Sequence, residues 1–131
     1  MNDILLAVLL FVAFLVLPNI LFASPAKDIS QDDLLERQSS ADKDYFLLDV
    51  RTKQEFNQGH ISGATNISHS DLAKNLNKVP KDKDLIIYCR SGMRARVAAN
   101  LLSKNGYERL FHLAGDMNGW MANKKPVLVG N

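Results

Sequence analysis

Cysteine is nearly absent: the chain of 131 residues contains one, Cys89. A single thiol excludes an intrachain disulfide, a zinc site built on paired thiolates, and the Cys-x-x-Cys motif of dithiol oxidoreductases. Net charge is nearly absent as well. Sixteen basic residues stand against 14 acidic ones, leaving +2, and so small a balance gives no electrostatic footprint for nucleic acid. His69 and His112 show no metal-ligand spacing with each other or with carboxylates, so no metal is expected. Internal repeats and low-complexity tracts are missing. With 47% hydrophobic and 23% charged residues the composition is that of a globular protein, and the length allows one domain.

Long apolar runs are also scarce, with one exception. Ile4 to Leu17 is unbroken, and after Pro18 and Asn19 the apolar character resumes through Ala23. Residues 1–23 therefore read as a signal peptide or an N-terminal membrane anchor. Fourteen residues suit a signal-peptide core better than a membrane span, which needs about 20. Ala23-Ser24-Pro25-Ala26 supplies small residues for cleavage after Ala23, although the segment before Ile4 carries no Lys or Arg. The expectation is an exported protein, periplasmic or membrane-anchored. The alternative is an uncleaved inner-membrane anchor, with Lys27 and Arg37 leaving the domain on the cytoplasmic side. Residues 24–131 remain as the folded domain, long enough to bury a sizeable core.

Strand and helix signals alternate along this domain. Ser30 can cap a short helix carrying Leu34 and Leu35, and Tyr45–Leu48 reads as a buried strand entering a polar turn at Asp49-Val50-Arg51. Thr52 can cap a helix through Glu55 and Phe56, and a two-glycine loop, 59–64, leads to a short strand at Thr65–Ile67. Ser68 or Ser70 can cap a helix over Leu72 and Leu76, ended by Pro80. Leu85–Tyr88 is apolar throughout, as the centre of a parallel sheet requires. Arg94–Asn105 places Val97, Ala98, Leu101 and Leu102 on one helical face, with Gly106 as the terminating glycine. Leu110–Leu113 is a further strand, and Trp120 lies beyond a loop marked by Gly115 and Gly119. Strands separated by helices predict an α/β domain with a central parallel sheet flanked by helices. The stretch containing Lys78, Lys81, Lys83, Asp82 and Asp84 reads as a solvated turn of mixed charge.

Cys89 follows the strongest strand directly, and Arg90-Ser91-Gly92-Met93-Arg94 separates it from the next helix. In open parallel sheets ligands bind beyond the carboxyl ends of the strands. A loop there turns backbone N–H groups inward, the following helix adds its positive end, and Arg90 and Arg94 add full charges. Each effect favours the thiolate, the reactive form of cysteine. Two arginines, a serine and a glycine within five residues disfavour the alternative of a buried structural thiol.

These residues resemble the single-domain rhodanese-like sulfurtransferases. The likeness covers essentially all of 27–129. It is carried by Asp49-Val50-Arg51, Glu55-Phe56, Gly59-His60-Ile61-Ser62-Gly63-Ala64-Thr65-Asn66, Cys89 through Arg94, Gly106-Tyr107, and Gly115 through Trp120. The resemblance implies a rhodanese-like fold, helices on both faces of the sheet, and sulfur transfer without cofactor. Cys89 would attack a sulfane donor such as thiosulfate, carry the sulfur as a persulfide, and pass it to cyanide or a thiol. Backbone N–H groups of Arg90, Ser91, Gly92, Met93 and Arg94 would hold the persulfide anion, and Arg90 and Arg94 the anionic donor. Asp49 and Arg51 would organise the neighbouring loops through an ion pair. Two alternatives stand beside this. One is a non-catalytic binding or sulfur-carrier module. The other is a cysteine phosphatase or arsenate reductase, whose Cys-x5-Arg loop would need an arginine where this chain has Ala95. His60 reads as part of a packed turn rather than a general base, His69 and His112 as ordinary, and Trp120 as closing the core or the pocket rim. Oligomeric state is left open.

Overall fold

The computed structural model describes residues 2–21 and 23–130, and of residues 18–21 the backbone alone. Helix α1 spans Asp3–Leu21, and within Ile4–Leu17 twelve large apolar side chains are exposed. Among the described residues no helix is long and apolar enough to cross a membrane.

The domain proper follows in the order β1 (Lys27–Ile29), α2 (Gln31–Ser39), β2 (Tyr45–Asp49), α3 (Lys53–Gln58) and β3 (Thr65–Asn66). Two 3-10 turns, Leu72–Lys74 and Leu76–Lys78, lead to β4 (Asp84–Tyr88), α4 (Met93–Lys104), β5 (Leu110–Leu113) and α5 (Asp116–Ala122). The five strands form one sheet in the order β1-β5-β4-β2-β3, every pairing parallel. This is the α/β architecture expected from the alternation of elements.

Each strand divides its side chains between two cores, because successive residues point to opposite faces. Leu85, Ile87 and Cys89 join Leu48, Val50 and the α4 residues Ala95, Ala98, Ala99 and Leu102 on one face. Ile86 and Tyr88 join Leu47, Leu34 of α2, and Met117 and Trp120 of α5 on the other. Local chemistry fixes the element ends. Ser30 Oγ accepts the Asp33 N–H, and Thr52 with Glu55 forms a reciprocal capping box at α3. At the end of α4, Gly106 takes φ +86°, where its N–H reaches Ser103 O and the Tyr107 N–H reaches Leu102 O.

Three expectations are corrected. The helix over Leu72 and Leu76 is two single 3-10 turns. Ser68 Oγ donates to Asp71 Oδ2 instead of accepting a helix amide, and Asn75 at φ −123° breaks the run between the turns. The loop marked by Gly115 and Gly119 is helical at its second glycine, for Gly119 lies inside α5, while Trp120 closes the core as expected, 1% exposed. The mixed-charge stretch is not wholly solvated, for Asp84 opens β4 and binds Arg37 and Arg109 at 3.0 and 2.8 Å. Strand β1 was not anticipated, since three residues with only Ile29 buried carry no readable period.

Candidate functional site

The sheet order places the site. After β2 the chain moves outward to β3, whereas after β4 it moves to β5 on the opposite side, so a crevice opens beyond the carboxyl ends of β2 and β4. Asp49 and Arg51 stand at the first of these ends and Cys89 at the second.

Cys89 is buried, 1% exposed, and its Sγ accepts the Gly92 N–H at 3.0 Å. Gly92 holds φ +119°, a backbone that brings its amide back over the sulfur and that side chains beyond glycine rarely adopt. It immediately precedes α4, so the positive end of a twelve-residue helix also faces the loop. The loop is tied from the other side by α5. Met117 N–H donates to Cys89 O at 2.9 Å, Asn118 N–H to Arg90 O at 3.0 Å, and Cys89 N–H to Asp116 Oδ1 at 3.0 Å.

The Asp49–Arg51 ion pair is formed and buried. Arg51 Nη2 lies 2.7 Å from Asp49 Oδ2, and the same nitrogen donates to Gly59 O at 2.7 Å. Asn66 Nδ2 donates to the carbonyls of Asp49 and Arg51, and the guanidinium lies 5.7 Å from the centre of the Tyr88 ring. Burial, with the nearby Asp49 charge, pushes the Tyr88 hydroxyl well above its ordinary range, and that oxygen accepts the Ile61 N–H at 3.2 Å. One ion pair thus joins the loops after β2 to the end of β4.

The two loop arginines are differently placed. Arg94 is engaged by Glu55, at 2.6 Å from Nη1 to Oε1 and 2.9 Å from Nη2 to Oε2. Arg90 is exposed and borders a cleft of about 320 Å³ whose walls include Arg51, Glu55, Met117 and Met121. Arg94 therefore braces α4 against α3, and Arg90 is the arginine presented to the cleft. Ser91 in the same loop and Met93 at the start of α4 are exposed.

The Arg94 guanidinium, followed by the Thr52 amide and hydroxyl, holds the Glu55 carboxyl at about 2, below its ordinary 4.5. A carboxylate depressed on folding adds stability that is complete above about 4.5 and is lost as the pH falls toward about 2. Glu55→Gln should therefore lower the melting temperature modestly at pH 7, because both side chains are about a quarter exposed. The gap between variant and wild type should close between about pH 4.5 and 2. Thermal melts across that range check it.

His60 is buried, stacked on Phe56 at 3.7 Å between ring centroids, with Nδ1 2.9 Å from Phe56 O. That is a packed turn. Sequence reasoning gave no role to Asp116 and treated His112 as ordinary, yet His112 Nε2 lies 2.9 and 3.0 Å from the two Asp116 oxygens directly beneath the Cys89 loop. No motif spacing signals this pair. It arises because β5 ends where α5 begins.

The domain is thus a parallel α/β sheet with its one thiol beyond the end of the central strand, inside a loop folded back onto the sulfur. The family model of the rhodanese-like domain matches residues 30–123, and the chain belongs to that family. It is 33% identical over 102 residues to a sulfurtransferase of Allochromatium vinosum, covering 78% of this chain and 94% of the relative. It is 30% identical over 97 residues to the thiosulfate sulfurtransferase GlpE of Shewanella oneidensis, covering 74% of this chain and 94% of that one. The crystal structure of a rhodanese-related protein from Thermoplasma volcanium superposes with a TM-score of 0.70 at 29% identity, covering 79% of this chain and 98% of the other.

Proposed function

We propose that the protein is a sulfurtransferase that moves a sulfane sulfur from an anionic donor to a thiophilic acceptor through Cys89. The observation that carries this reading is the Gly92 N–H aimed at Cys89 Sγ at 3.0 Å, at the end of β4 and ahead of the α4 amino terminus. Such a cradle stabilises a sulfur anion whether it is the thiolate or the persulfide. With thiosulfate, the Cys89 thiolate attacks the outer sulfur, the S–S bond of the donor breaks, and sulfite leaves with the bonding pair. The acceptor, cyanide or a thiolate, then attacks the outer sulfur of the Cys89 persulfide. Thiocyanate or a new persulfide leaves, and the Cys89 thiolate is restored. Electrons balance within the two steps, and the chemistry needs no metal or organic cofactor. Arg90, at the cleft, is placed to meet the donor's charge.

The full chain incubated with thiosulfate should gain the mass of one sulfur, and adding cyanide should release thiocyanate while returning the mass to its starting value. Absence of both with any sulfane donor would favour a binding module, and Cys89-dependent hydrolysis of an aryl phosphate would favour a phosphatase.

Residues 1–23 we assign to export as a leader cut after Ala23, the domain then lying outside the cytoplasm. The support is the exposed apolar face of Ile4–Leu17, larger than a soluble domain leaves uncovered without use, and the small residues Ala23 and Ser24 that follow. N-terminal sequencing of the protein recovered from its native cells should read Ser24 first. A start at Met1 in a membrane fraction would indicate the anchored form.

A further inference from the structure

Asp116 is a costly residue for its position. It is 3% exposed, and its backbone lies in the left-handed region at φ +52°, shared among the described non-glycine residues only with Lys124. A buried aspartate kept where glycine is more at ease points to a task for its side chain. That side chain reaches the nucleophile loop. Oδ1 accepts the Cys89 N–H at 3.0 Å, and His112 Nε2 stands within 3.0 Å of both oxygens. The same pair lies against the far side of the loop. A methyl group built on Gly92 would come 3.2 Å from Asp116 Oδ2 and 3.5 Å from His112 Cε1. Asp116 thus holds the Cys89 end of the segment by a hydrogen bond, and together with His112 it occupies the space beside Gly92 at the other end.

We propose that Asp116 is a positioning residue for Cys89, and that His112 orients its carboxylate for that purpose. The Cys89 peptide is held on both sides, its N–H by Asp116 and its carbonyl by the Met117 N–H. With both fixed, Sγ and the Gly92 N–H keep the alignment that a sulfur anion needs, and a small loss of alignment is expensive in rate. The kinetic consequence rests on the sulfurtransferase reading; the clamp itself does not.

Asp116→Gly tests this without penalising the left-handed backbone. It should lower kcat for thiosulfate and cyanide about tenfold, with KM within about twofold, since the lost contact acts on the reacting geometry rather than on donor binding. Amide hydrogen exchange at Cys89 should speed up about tenfold or more in the same variant. Asp116→Asn keeps an oxygen acceptor for Cys89 and should recover most of both properties, a rescue that a merely structural role of the charge would not produce. His112→Ala should fall between them. Wild-type kcat and wild-type Cys89 protection in Asp116→Gly would overturn the proposal, and so would Asp116→Asn as slow as Asp116→Gly. If Asp116→Gly does not fold, wild-type kcat and protection in His112→Ala overturn it instead. If the wild-type protein transfers no sulfur, the sulfurtransferase reading fails, and amide exchange alone decides the clamp.

Discussion

Cys89→Ser leaves a folded protein that gains no mass from thiosulfate and makes no thiocyanate. The substitution exchanges sulfur for a smaller oxygen in a site that is 1% exposed, so packing around Val50, Ile87 and Ala95 is little disturbed. Stability should change by about 1 kcal/mol or less, within the range of mild core substitutions. The chemistry does not survive, because a neutral hydroxyl does not attack sulfane sulfur and forms no persulfide. Turnover should fall by at least about a thousandfold, as for loss of a covalent nucleophile. Cys89 is the only thiol in the chain, so any residual mass gain in the variant would have no thiol to explain it and would remove the proposed route. Mass spectrometry of the intact variant and the thiocyanate assay together check the result. The singleness also protects the intermediate, since a second thiol nearby would convert the persulfide into an internal disulfide.

The second large effect is on stability. Asp49→Ala should cost about 3–5 kcal/mol, the usual penalty for breaking a buried ion pair and stranding one charge. The stranded group is the Arg51 guanidinium, which would keep Gly59 O as partner but lose three contacts to the carboxylate, at 2.7, 3.1 and 3.1 Å. Asp49 is wholly buried and Arg51 is 5% exposed, so water does not replace the lost partner freely. Replacing both residues with apolar ones, Asp49→Leu with Arg51→Met, should cost less than Asp49→Ala alone, because neither charge is then left uncompensated. Urea unfolding of the three proteins decides it. A loss below about 1 kcal/mol for Asp49→Ala would show that the pair is screened like a surface salt bridge. The same variant should loosen Gly59 and the cleft wall that Arg51 supports.

Most of the fold was legible because its signals are local. The apolar run Leu85–Tyr88 is a central strand for the reason expected, burial on both faces. Ser30, Thr52 and Gly106 mark helix ends through hydrogen bonds that span three to five positions. The 3-10 turns between β3 and β4 were misread because Ser68, Ser70 and Asp71 bond among themselves, an alternative that local pattern does not distinguish from a helix cap. At the site, the nucleophile and its loop are contiguous and were visible as Cys89 through Arg94. The separate engagement of the two arginines was not. Arg94 meets Glu55 across 39 positions of sequence, while Arg90 turns to the cleft.

By itself the sequence determined the α/β alternation, the position of the thiol after the strongest strand, and the exclusion of disulfide and dithiol chemistry by a count of one. These follow from periodicity, adjacency and composition, which the chain carries without being folded. Only the tertiary structure decided which groups surround the sulfur. Sheet order brings β5 beside β4, and with it His112 and Asp116 come beneath a loop more than twenty residues earlier in the chain. Contacts of that kind depend on which strands are neighbours and on where a helix starts, and neither is written in the spacing of the residues concerned.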